Sequence, residues 1–77
     1  MEKVNSIIAA VLKITIEKAA GDHIMKDIPT WDSLKHMELI VAIESEFGIE
    51  ISGDDIAEML SFDAIRQTVA KYAKEKS

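Results

Sequence analysis

The chain contains no cysteine, which excludes a disulfide framework, a thiolate metal site and a cysteine nucleophile. Proline occurs once and glycine three times in 77 residues, too few breakers for a many-turned β fold. The longest apolar runs, "IIAAVL" and "LIVAI", fall far short of the roughly 20 residues that a membrane-spanning helix needs. The N-terminus carries neither the basic region nor the cleavage site of a signal peptide, so the cytoplasm is the expected location. Basic charge is also in short supply. Nine Lys and Arg face 14 Asp and Glu, and the formal net charge of −5 argues against a nucleic-acid partner, whose binding rests on phosphate neutralisation. What is present is 48% hydrophobic and 30% charged sequence, too apolar for disorder. Residues 1–77 are expected to form one small all-α domain with one modest core, a monomer held together by packing alone.

Apolar spacing locates the helices. Val4, Ile7, Ile8, Val11 and Leu12 recur at the helical period and predict a first helix over about 2–13. Residues 14–32 hold β-branched side chains, "AAGDHI" and the single Pro29, and read as a long connection with a short helical turn around Thr15 to Ala20. A connection of that length in so small a domain is more often functional than idle. A second helix is expected from Asp32 or Ser33 to Phe47, with Asp32 as its N-cap and Gly48 as its stop. Asp54 is expected to cap a short third helix through about Leu60. Ser61 is expected to cap a fourth, with Ile65, Val69 and Tyr72 on its apolar side. The fold class is thus a small helical bundle of three main helices and one short one, with a long loop between the first two. The terminal "KEKS" is expected to fray.

Two features of this pattern go beyond fold. The acidity is local: from Glu38 to Asp63 there are eight acids and no Lys or Arg, while the remainder holds nine bases and six acids. Such a segment is either a solvated surface or a docking surface for basic patches. The second helix, moreover, has two apolar faces. Leu39, Ala42, Ile43 and Phe47, flanked by His36 and Ile40, form a core stripe. Leu34, Met37 and Val41, rimmed by Glu38 and Glu44, fall on the opposite side. A helix in a small bundle has no internal use for a second apolar face. That face is either a partner surface or is covered by the long loop.

Ser33 stands at the head of the same helix, where unpaired N–H groups and the positive dipole end favour an attached or bound anion such as a phosphate. An Asp-Ser pair at a helix start is also an ordinary capping arrangement. A serine hydrolase lacks support, because there is no G-x-S-x-G elbow and His36 has no evident orienting acid. "HME" cannot complete a metal site, and His23 lies in another segment.

The stretch "WDSLKHMELIVAIESEFGIEIS" resembles the signature region of the acyl carrier proteins, the phosphopantetheine-attachment domains. The matching residues are the triplet Asp32-Ser33-Leu34, the pair Glu38-Leu39, the run "ESEFGIEI", an acidic short third helix and the capped "SFDAIRQTVAKYA". The similarity spans nearly the whole chain. It implies a non-enzymatic carrier in which Ser33 accepts 4′-phosphopantetheine from coenzyme A through a separate transferase, with Asp32 and Lys35 beside the phosphodiester. An acyl group would then ride as a thioester on a thiol that the cofactor supplies. It further implies that Trp31, Leu34, Met37, Glu38, Val41 and Glu44 meet the partners: the phosphopantetheinyl transferase, an acyl-charging ligase or transferase, and synthases with basic docking patches. In fatty-acid carriers the chain can enter the bundle, which makes Leu39, Ile43, Phe47, Ile51 and Ile65 candidate lining residues; as ordinary core they need no such role.

Two residues depart from the carriers of primary fatty-acid synthesis, which usually have a small residue at the position of Trp31 and an acid at that of Lys35. Trp31 would add a bulky contact beside the arm, and Lys35 would place a positive charge near the phosphodiester. Both favour a specialised stand-alone carrier serving lipid, cell-envelope (such as lipopolysaccharide) or polyketide biosynthesis. An aminoacyl or peptidyl carrier and a non-covalent acidic adaptor for basic proteins stay open beside it.

Overall fold

A computed structural model describes the backbone of residues 2–76 and the side chains of residues 2–73. The chain runs through α1 (Glu2–Leu12), α2 (Ile16–Ala20), a 3₁₀ turn (Met25–Asp27), α3 (Ser33–Phe47), α4 (Gly53–Glu58) and α5 (Phe62–Lys76). The all-α bundle anticipated from the sequence is therefore present, with three long helices. Its long connection carries the expected helical turn as α2 and, in addition, the 3₁₀ turn. The expected fraying of "KEKS" concerns Ser77 and side chains that lie outside the described residues.

Local chemistry sets the ends of these elements. Thr15 Oγ1 accepts from the Lys18 N–H (3.2 Å) and starts α2. Asp32 Oδ1 accepts from the Lys35 N–H (2.8 Å) and starts α3. Gly48 ends α3 in the left-handed conformation (φ 61°), and the Ile49 N–H reaches back to the Glu44 carbonyl (3.1 Å). At the end of α1 that conformation falls to Lys13 (φ 57°), a residue for which it costs about 1 kcal/mol more than for glycine. The cap of α4 differs from expectation. Ser52, extended at ψ 154°, accepts from the Asp55 N–H (3.2 Å), so Asp54 is left on the first turn as an exposed acid.

The core collects Val4, Ile8 and Leu12 from α1, Leu39, Ile40 and Ile43 from α3, and Phe62, Ile65 and Val69 from α5, each at most 1% exposed. Burial of side chains of this size contributes roughly 1.5–3 kcal/mol each. The long connection is tied onto this core. Arg66 donates to Asn5 Oδ1 (3.1 Å), the Ala19 carbonyl (3.0 Å) and the Gly21 carbonyl (2.7 Å), so one guanidinium clamps α1 and the end of α2 to α5. Thr30 Oγ1 donates to the Leu12 carbonyl (2.6 Å). Met25 N–H to Leu60 carbonyl (2.8 Å) and Phe62 N–H to His23 carbonyl (3.0 Å) form an isolated antiparallel bridge around Ile24 and Ser61. These bonds draw the 3₁₀ turn against the α4–α5 junction and bring both to the N-terminal end of α3.

Candidate functional site

Ser33 is the first residue of α3, exposed, one step beyond the Asp32 cap. Asp32 satisfies the Lys35 N–H with its side chain and the His36 N–H with its carbonyl (2.8 Å). The N–H groups of Ser33 and Leu34 precede any intrahelical acceptor and point out of the helix end, where a negatively charged group is favoured. The Ser33 side chain opens on a cleft of about 380 Å³ between α3, α4 and the 3₁₀ turn, lined also by Met25, His36, Met37, Gly53, Ile56, Ala57 and Leu60. An exposed hydroxyl at a helix start beside an apolar cleft fits a covalently attached phosphodiester with a flexible organic arm. The anion meets the N–H end of the helix, and the arm has room to leave it.

The floor of that cleft is a fixed hydrogen-bonded pair. His36, 8% exposed, lies with its Nδ1 3.0 Å from the Trp31 Nε1 and its Nε2 2.9 Å from the Ile56 carbonyl. An indole N–H can only donate, so Nδ1 accepts and Nε2 carries the proton given to Ile56. Both ring nitrogens are therefore occupied, and His36 is not free to serve Ser33 as a base. This removes the serine-hydrolase reading on geometric grounds.

Trp31 corrects an expectation. Placed beside the serine, it was expected at the surface, yet it is 3% exposed. Its ring stacks on Phe62 at 5.3 Å and 22°, and its N–H is taken by His36. Burying a large aromatic body with a partner for its polar handle outweighs leaving it in water. Trp31 is thus a core residue that supports the site from beneath.

The outer face of α3 is open beyond the cleft. Leu34, Met37 and Val41 are 69%, 49% and 60% exposed. With Glu38, Ala42 and Ser45 they line a shallow apolar groove that starts one residue from Ser33. A second apolar patch, Ile24 and Leu60 with Met25 and Lys26, adjoins the cleft through Met25 and Leu60. No role for Ile24 and Leu60 follows from the apolar spacing, since neither belongs to a helical stripe; the bridge between their segments places them together.

The acids divide into engaged and open. Glu38 pairs with Lys35 (3.0 Å), so Lys35 has a partner one turn along its own helix as well as a position near Ser33. Glu44, expected as a docking acid, instead has its Oε2 on the Ile51 N–H (2.8 Å) and holds the segment leaving α3; this is the second correction among the expected surface residues. The reason is geometric, because Gly48 turns the chain back so that Ile51 passes the last turn of the helix. Glu46 pairs with Lys3 (3.3 Å). Asp55 accepts from the Tyr72 hydroxyl (2.6 Å) and lies 3.5 Å from Lys71 Nζ; the Tyr72 bond foremost, with Ser52 and Lys71 adding to it against the effect of burial, lowers its pKa. Glu50, Asp54 and Glu58 are exposed, and their carboxylates have no hydrogen-bond or ion-pair partner among the described residues.

Among the described residues no group of His, Asp and Glu could hold a metal ion, and no helix is long and apolar enough to cross a membrane. The family model described as "Phosphopantetheine attachment site" matches residues 2–69. The chain is similar to the acyl carrier protein of Nitratidesulfovibrio vulgaris, 36% identical over 97% of this chain and 93% of that one. The acyl carrier protein of Buchnera aphidicola from Baizongia pistaciae is 32% identical over 92% and 91%. That of the Schizaphis graminum strain is 44% identical over 70% and 68%. No solved structure matches the chain significantly. With a family match over most of its length and relatives similar across nearly all of it, the chain belongs to the acyl carrier proteins, non-enzymatic carriers with a covalently attached 4′-phosphopantetheine that interact with a phosphopantetheinyl transferase and with biosynthetic enzymes.

Proposed function

We propose that Ser33 bears the arm and that the outer face of α3 presents the loaded arm to partner enzymes in lipid, cell-envelope or polyketide biosynthesis. One observation carries this reading: Ser33 is the exposed first residue of α3 and stands where the N-terminal helix end, an apolar cleft and an uncovered apolar face meet. The arm supplies the thiol that holds an acyl group, in a chain that has no sulfhydryl of its own. Asp32 fixes the helix start and so the direction of the Ser33 Cα–Cβ bond. The N–H groups of Ser33 and Leu34 balance the phosphodiester charge, with Lys35 within reach if its pair with Glu38 opens. Leu34, Met37 and Val41 offer the apolar contact, and Met37 suits a surface that must adapt to several partners. Glu38, Asp54 and Glu58 offer negative charge to Arg and Lys on charging ligases, transferases and synthases, which raises association rate more than final affinity.

Intact-mass measurement tests the assignment. After incubation with coenzyme A and a phosphopantetheinyl transferase, the wild type and Ser6→Ala, an exposed serine of α1, are expected to gain one phosphopantetheine group and Ser33→Ala none. A gain that survives Ser33→Ala would move the attachment to another residue.

A further inference from the structure

We propose that His36 is the specificity-determining gate of this carrier: it closes the seam between α3 and α4 beneath Ser33, so that the cargo class is short or polar acyl groups that stay outside the core. The inference rests on Ser33 as the attachment residue and adds what the arm is suited to hold.

An alkyl chain tethered at Ser33 seeks the nearest apolar interior. The way in is the cleft between α3 and α4, whose walls are Met37, Ile56 and Ala57 and whose floor is His36. The His36 Nε2 bond to the Ile56 carbonyl, at 2.9 Å, spans the two helices like a bolt. Behind it the Trp31 indole fixes the ring through Nδ1 at 3.0 Å and is itself stacked on Phe62. The residues an alkyl chain would have to displace, Leu39, Ile43 and Ile65, are already 0% exposed. Entry requires the imidazole to swing out, and that strips the buried Trp31 N–H of its partner and leaves the Ile56 carbonyl with the Met59 N–H alone, at 3.3 Å. Among the described residues no buried side-chain polar atom lacks a partner, so no bond already lost eases the opening. A short or polar acyl group gains nothing from the interior and leaves the bolt in place.

The test loads the protein directly from acetyl- and decanoyl-coenzyme A with a phosphopantetheinyl transferase, and intact mass verifies the load at Ser33. Hydroxylamine cleavage of the thioester is then timed, and NOEs between the chain and the Ile43 and Ile65 methyl groups are sought. The wild type is expected to release both acyl groups at the same rate, with no such NOEs. His36→Ala is expected to slow decanoyl release by about tenfold, the ratio set by burial of roughly two methylenes. His36→Gln, whose amide can accept from Trp31 and donate to Ile56, is expected to behave as the wild type. Slowed decanoyl release in the wild type, or NOEs to Ile43 or Ile65 there, overturns the gate even if His36→Ala does not fold. A protein that takes no load at Ser33 overturns the attachment assignment, a different failure visible in the mass alone.

Discussion

Helix α3 is apolar on two sides that live in different surroundings. On the inner side His36, Leu39, Ile40 and Ile43 are 8%, 0%, 1% and 0% exposed, whereas on the outer side Leu34, Met37 and Val41 are 69%, 49% and 60% exposed. The residue types are alike. What differs is that one side packs into the core with α1 and α5, whereas on the other only Met37 borders neighbouring elements among the described residues, at the cleft. An apolar side chain left in water contributes no burial to folding, so the outer three are free to suit whatever meets them from outside. Ile43→Ala is the strongest way to break this comparison: a loss of about 2–5 kcal/mol is expected from the lost burial and the cavity. Val41→Ala is expected to stay within about 0.5 kcal/mol. Urea unfolding of both variants decides, and equal losses would erase the distinction. Partner assays should reverse the order, with Val41→Ala or Met37→Ala lowering kcat/KM of a charging enzyme by about tenfold while Ile43→Val leaves it unchanged.

The inner face has a polar member, and its worth can be read separately. Trp31→Phe keeps an aromatic ring against Phe62 but removes the donor to His36 Nδ1. The buried nitrogen is then unpaired, and a loss of about 1–3 kcal/mol is expected in the same urea experiment. Full retention of stability would mean that Trp31 acts through its ring alone.

The acids of α3 repeat the contrast on a smaller scale. Glu44→Ala releases the Ile51 N–H and is expected to cost about 1 kcal/mol. Glu38→Ala breaks an exposed pair with Lys35 and is expected to cost between roughly 0 and 1 kcal/mol, at the low end of what such pairs give. In partner assays the roles exchange. Glu38→Ala should slow association and weaken its salt dependence, and Lys35→Glu should change which partners accept the protein. Unchanged kinetics across a panel of partners would remove both residues from the docking surface.

Much of this arrangement was legible because helix ends and amphipathic faces are written within a few residues. Asp32 and Gly48 bound α3 by chemistry that reaches no further than one turn, and the two apolar faces follow from spacing alone. The misses depend on contacts that helix spacing does not encode. Trp31 looks like a surface residue beside Ser33 until Phe62 and His36 are folded under it. Glu44 looks like a rim acid until Gly48 turns Ile51 back past it. For α4, both Ser52 and Asp54 are competent caps. Ser52 prevails in an extended conformation next to the buried Ile51, and no local rule ranks them. The Ile24–Leu60 patch arises from the bridge between their segments, for which the sequence carries no periodic signal.

Neighbouring acids on α4 give the finest form of the comparison. Asp54 is exposed, while Asp55 receives the Tyr72 hydroxyl at 2.6 Å, and that bond above all lowers its pKa below the ordinary value of an aspartate. A carboxyl whose pKa is depressed on folding adds stability at pH values above its unfolded pKa, and the contribution is lost as pH falls through the folded one. The Asp55→Asn variant should therefore be less stable than the wild type at pH 6. The gap should narrow progressively once the pH drops below about 4, where the unfolded chain begins to take up the proton. Asp54→Asn, which removes an exposed carboxylate with no hydrogen-bond or ion-pair partner among the described residues, should leave the urea midpoint close to that of the wild type throughout. Urea midpoints collected from pH 6 down to about pH 2.5 separate the two cases. A pH-independent gap for Asp55→Asn would assign its effect to the shape of the Tyr72 contact and not to its charge.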